Sequence, residues 1–214
     1  MSTTKNQREL DAVNQMLASV GQAPVTTLQQ SNPDVAIALD TLHQVSREVQ
    51  AEGWTFNKEY NYQMSLETDG TVNVPDNMLQ VSLCESVLSN RNKRAVLRTR
   101  NTVAGTDLVQ RKLYEIINHT FIWESAPYCD IVWLQDFVTI PVPIQTFIIA
   151  KASTMFAQRT TGEQTMITML MQMEAVTRAS ALEYETQQIN RSFFGYNENG
   201  DFYNSYIPFQ ALSR

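Results

Sequence analysis

Side chains able to do covalent or metal chemistry are few in this chain, and they are scattered. Its 214 residues include two histidines, His43 and His119, and two cysteines, Cys84 and Cys129. None of the four has a partner at the short spacing by which zinc ligands recur, so no metal site is expected. The seven glycines are dispersed, and they form neither a phosphate-cradling loop nor a dinucleotide fingerprint. No serine stands between the glycines of a nucleophile elbow. Carboxylate pairs are what remains. Glu183 with Glu185, or Asp130 with Asp136, would act as acid and base on a glycan if a cleft held them at the right separation. Glu183 and Glu185 are two apart, however, and two-apart residues point to different helix faces. We therefore expect no catalytic residue, no metal and no cofactor, and both cysteines free and buried as small hydrophobes.

Charge narrows the partners. The net charge of −6 argues against a protein that grips nucleic acid through its phosphates, while repulsion would let DNA slide past without sticking. Arg91, Lys93, Arg94, Arg98 and Arg100 concentrate five of the sixteen basic residues in one segment. No aromatics are interleaved as a single-strand platform would need. The segment reads as a solvated strand whose charges discourage edge pairing, or as a contact for an acidic protein. There is no run of eighteen apolar residues, so no membrane span is expected. The start MSTTKNQREL has no apolar signal region, which fits synthesis in a cytoplasm.

The elements that would position these residues follow from hydrophobic period. Leu10, Val13, Leu17 and Val20 fall on one face of a helix that Gly21 stops and Pro24 prevents from resuming. Asn32-Pro33-Asp34 reads as cap, first helical residue and dipole partner of a second helix. Val35, Leu39, Leu42, Ser46 and Val49 are its stripe, ending near Gly53 with Trp54 and Phe56 beyond. The period then becomes two. Tyr60, Tyr62, Met64 and Leu66 alternate as a half-buried strand, Asp69-Gly70 turns, and Val72 and Val74 alternate again. Met78, Val81 and Leu83 suggest a further strand, residues 112–123 a hairpin turning at Asn118-His119, and residues 131–134 another strand. Helical character returns after Ile140-Pro141-Val142-Pro143 and should pause at Gly162. Thr161-Gly162-Glu163-Gln164 has capping-box spacing for a helix over about 163–190.

The organisation expected is α+β: a four-helix-bundle-like helical domain from residues 1–56 and 140–192, an inserted β-rich domain at 57–139, and a C-terminal arm at 193–214. In the last helix Met166, Met169 and Met173 follow helical steps, for which core packing is the ordinary explanation. Met171 lies off that line and widens the face beyond one partner helix, so the four methionines are candidates for a subunit interface. The arm holds Phe193, Phe194, Phe202, Tyr203, Tyr206 and Phe209 with no helical or strand period. It is too small to bury them against itself, and a docking role is expected of it.

Several stretches together resemble the tail tubular protein A family of short-tailed bacteriophages. They are Glu9-Leu10-Asp11-Ala12-Val13-Asn14 through Leu17-Ala18-Ser19-Val20-Gly21, Pro24-Val25-Thr26-Thr27-Leu28, Gly53-Trp54-Thr55-Phe56-Asn57, Val74-Pro75 with Asn77 and Leu79, and Lys151-Ala152-Ser153 with Phe156 and Arg159. The resemblance implies a structural virion protein of the tail, made in the host cytoplasm, that joins the portal to the tail nozzle. It implies a homo-oligomeric ring, a dodecamer matching the portal, around a channel through which DNA passes without specific binding. It brings no catalytic motif. A tail-borne hydrolase of cell-wall or capsular glycan is the competing expectation, and it requires one of the carboxylate pairs above to meet in a cleft.

Overall fold

A computed structural model describes residues 2–28, 32–84, 90, 93–101 and 109–188. The order is α1 (Ser2–Ser19), α2 (Pro33–Ala51), β1 (Lys58–Gln63), β2 (Met78–Leu83), β3 (Ala95–Asn101), β4 (Val109–Glu115), β5 (Tyr128–Trp133), a 3-10 turn (Phe137–Thr139), α3 (Val142–Thr160) and α4 (Gln164–Gln188). The fold is mixed α+β, as expected, and the five strands among the described residues all lie between α2 and α3 in the chain.

The helix signals act through identifiable bonds. Asn32 Oδ1 accepts the Asp34 N–H at 3.0 Å, with Pro33 at the first helical position. Gly21 and Gly53 have φ of +77° and +78°, a region costly for any residue with a Cβ. Pro141 precedes α3, where the missing N–H has no intrahelical partner to lose.

α1, α2 and α3 build the helical core. Val13, Met16, Leu17, Val35, Leu42, Val45, Val49, Phe147, Ile148 and Phe156 are fully buried there. α4 lies along α3 as the second arm of a helical hairpin and adds one fully buried residue, Ala181, to that core, with Tyr184 half-buried beside it. The helices are thus three around a core and one laid against it, rather than four sharing it evenly.

The strands make a three-stranded antiparallel sheet in the order β1-β5-β2 and a separate two-stranded ribbon, β3-β4. Their own apolar cluster holds Met64, Val72, Val74, Met78, Leu113, Trp123, Cys129 and Ile131. β5 is the central strand, which explains its apolar run. β1 is an edge strand, and its expected half-burial is not found: Tyr60 and Tyr62 are exposed, while Met64 beyond the strand is buried. Every residue from 59 to 63 is exposed, so neither face of this edge strand is covered. A bulge between Glu59 and Tyr62, with Asn61 at φ +55°, also breaks the period of two. The turn at Asp69-Gly70 closes as expected, with Gly70 at φ +76°. The turn at Asn118-His119 also forms, closed by Glu115 and Thr120. The residues after it give only isolated bridges rather than a second strand.

Candidate assembly surface on the last helix

The segment Gly53-Trp54-Thr55-Phe56-Asn57 joins helices to sheet, and its residue types follow from that duty. A Cβ at Gly53 would meet Val132 Cγ2 at 3.2 Å. Trp54 is buried and its Nε1–H donates to the Val49 carbonyl at 2.7 Å, satisfying a carbonyl at the end of α2. Buried Asn57 donates Nδ2–H to the carbonyls of Gln50 and Trp133, and its Oδ1 accepts the Trp54 N–H. Gln50, fully buried in the last turn of α2, bonds both Ser46 Oγ and the backbone of Gln135. This network is unmarked in the sequence because Gln50, like Ser46 beside it, belongs to no motif of its own.

The same joint holds α4. Glu185 Oε1 accepts the Thr55 N–H at 2.8 Å and also its hydroxyl. Arg178 pairs with Glu52 at 3.1 Å and lies over the Phe147 ring, 5.4 Å from its centroid. These contacts are exposed and individually small. They fix which way α4 faces more than they stabilise it.

That orientation decides the fate of the methionines. Ile167, Leu170, Glu174, Thr177 and Ala181 recur at three- and four-residue steps, and they are buried or half-buried on α4. Core packing of the methionines is therefore overturned. Met166 is half-buried, whereas Met169, Met171 and Met173 are 66%, 53% and 59% exposed. Val176 at 67% and Leu182 at 49% join them. Two sets of apolar residues competed for the core, and the one containing Ile167 and Ala181 took α3. Thr161 also differs from expectation: it closes α3, its N–H bonding the Ala157 carbonyl at 3.0 Å, and does not cap α4.

A helix apolar on every side is normally buried on every side. Beside Met173 runs a shallow groove of about 110 Å³, with walls from Gln15 and Ser19 of α1, Thr146, Ile149 and Ser153 of α3, and Leu170 and Thr177 of α4. A wider open groove of about 590 Å³ lies between the outer face of α2 and β2, lined by Asp40, His43, Arg47, Glu48 and Gln80 among others. The six aromatic residues expected to dock, from Phe193 to Phe209, lie outside the described residues.

The chemical candidates are not brought together. Glu185 is engaged by Thr55 while Glu183 is exposed. Asp130 accepts the Asn61 N–H across the bulge, and Asp136 precedes the 3-10 turn. His43 is exposed, 3.8 Å from Glu9, and His119 occupies the 118–119 turn at φ +53°. Neither cysteine is in a disulfide, and both are buried. Burial, with smaller contributions from Asp130 and Cys84, pushes the Cys129 thiol up to about 12. Among the described residues no cluster of His, Cys, Asp or Glu could hold a metal ion. No helix there is long and apolar enough to cross a membrane.

The basic segment lies partly on the ribbon. Arg98 stacks over Tyr114 at 3.9 Å and Lys93 over Trp123 at 5.9 Å. Arg94 is exposed, and the side chains of Arg91 and Arg100 lie outside the described residues. Buried Lys112 of β4 donates to Thr71 Oγ1 at 2.6 Å and lies 3.7 Å from Asp69. The Thr71 hydroxyl and N–H, with Lys112 behind them, hold the Asp69 carboxyl below its ordinary value.

The model of a protein family described as Tail tubular protein matches residues 10–191 of this chain. No curated protein matches it.

Proposed function

The chain belongs to the tail tubular protein family and is a structural component of the phage tail; we propose that it serves there as a head–tail adaptor. In this reading copies of the chain form a ring, a dodecamer in register with the portal, between the portal and the tail nozzle. DNA leaves through the ring's channel without specific binding. The observation that carries the reading is α4, which leaves Met169, Met171, Met173, Val176 and Leu182 in solvent. Apolar surface of this extent on one element marks a protein–protein contact. The aromatic arm, through Phe193, Phe194, Phe202, Tyr203, Tyr206 and Phe209, is assigned to the portal or a neighbouring copy, where buried aromatics contribute most. The helices at 1–56 and 140–192 are taken as one folding unit, with 57–139 as an insertion. The test is electron microscopy of the purified protein mixed with its portal. A collar of the portal's symmetry on one portal face is expected, and portals that remain bare at saturating protein would overturn the reading.

A further inference from the structure

The apolar surface of α4 is divided into two flanks. Successive helical residues are turned by about 100°, so Met171 and Met173, two apart, point about 160° away from each other across the helix. Met169, Met173 and Val176 share one flank, on the side of α1 and of the groove beside Met173. Met171, Ala175 and Leu182 share the other, on the side where Arg178 reaches Glu52. α3 covers the face between them. A flat partner surface cannot cover two opposite flanks at once.

We infer that α4 joins copies of this chain head to tail, the Met171 and Leu182 flank of one copy seating against Met173 and into the adjoining groove of the next. The inference rests on the proposed ring and says which surfaces close it. Chemistry favours a second copy as the occupant. Over residues 164–182 the helix carries only two charged side chains, Glu174 and Arg178. Glu174 is half-buried and Arg178 is tied to Glu52, so neither flank presents a free charge to nucleic acid or an acidic partner. The two flanks are unlike, since one borders the groove beside Met173 and the other lies beside the Arg178–Glu52 pair, and a repeated contact between unlike surfaces covers both with a single interface. Two unlike surfaces on one subunit are the condition for a heterologous contact, which closes into a ring when the rotation allows. A strip about 10 Å wide along the roughly 17 Å of helix from Met171 to Leu182 offers on the order of 170 Å² on that flank, about a fifth of the 800 Å² that each partner gives to a standard interface. The α1 and α3 walls of the groove add to it.

The test uses the full chain with the portal protein present and a short thiol-specific cross-linker. Native Cys84 and Cys129 are buried, so added surface cysteines report alone. Met171→Cys and Met173→Cys are prepared separately and then mixed. The mixture is expected to give a linked dimer containing one of each variant as its main product, with little linking in either variant alone, and the double variant a ladder of higher multimers. Equal linking in the single and mixed samples would mean like-to-like contact and overturn the inference. Linking that appears only after removal of residues 189–214 would assign the flank to the chain's own C-terminal segment and overturn it too. A ring that forms on the portal without any linking would sink the inference and leave the adaptor reading standing. Absence of both ring and linking would sink the two together.

Discussion

The side-chain amide of Gln50 grips the backbone of Gln135 from both directions. Its Nε2–H donates to the Gln135 carbonyl at 3.1 Å, and its Oε1 accepts the Gln135 N–H at 2.7 Å. A glutamine at the end of α2 thus acts as the pairing partner of the chain leaving β5, eighty-five residues away. With Asn57 it satisfies the backbone where helices and sheet meet.

Replacing Gln50 by Met keeps the volume and removes every one of these bonds. The part-buried N–H and C=O of Gln135 would lose their partners, and a loss on the order of 1–3 kcal/mol is expected. Urea denaturation should show a lower midpoint at unchanged slope. A loss below about 0.5 kcal/mol would mean that the joint relaxes and finds other partners.

Leu17 is fully buried between α1 and its neighbours. Leu17→Ala should destabilise the protein by about 2–5 kcal/mol. In hydrogen exchange of the variant, amides of α2 and α3 should lose protection together with α1 if these helices are one folding unit. Protection that falls in α1 alone would refute the single unit.

Val176→Ser changes a residue that is 67% exposed. Thermal unfolding of the dilute monomer should move little, within about 0.5 kcal/mol, as for surface substitutions generally. Assembly on the portal should weaken. Unaltered assembly would show that this flank of α4 is not part of the contact.

Cys129 is an acid whose neutral form the fold favours, with its thiol raised from 9.0 to about 12. The unfolded chain releases that proton first, so the stabilisation is complete below pH 9 and is lost as pH rises from 9 towards 12. The slope in that window should approach about 1.4 kcal/mol per pH unit from this group alone. Cys129→Ala should flatten it, and an unchanged alkaline limb in that variant would refute the assignment.

Deleting residues 193–214 removes the aromatic arm. A soluble, helical protein that no longer joins the portal is expected. Normal portal affinity in the truncated chain, or failure to fold, would show that the arm has another task.

Much of this architecture is legible in the sequence where one residue decides one local event. Asn32, Gly21, Gly53 and the Asp69-Gly70 turn each act within a few residues, and each does what its type dictates. The bulge in β1 is not legible, because it depends on Asn61 and on the Asp130 carboxylate that receives the Asn61 N–H from another strand. The orientation of α4 is hidden for a related reason. Methionine, isoleucine and alanine all fit a core stripe by period, and only Thr55, Glu52 and Phe147, far away in the chain, decide which stripe turns inward. The excess of apolar residues in α4 is visible in the sequence, but which of them are left in solvent is not.

The bulge at Asn61 has an effect outside the subunit. β1 is the outermost strand of its sheet, where a regular row of N–H and C=O groups would invite any extended chain to add on. The break in register, beside Lys58 and Glu59, spoils that row. The β1 edge is therefore a poor template for fibrous growth, because an incoming strand would have to follow a kinked row of donors and acceptors instead of a straight one.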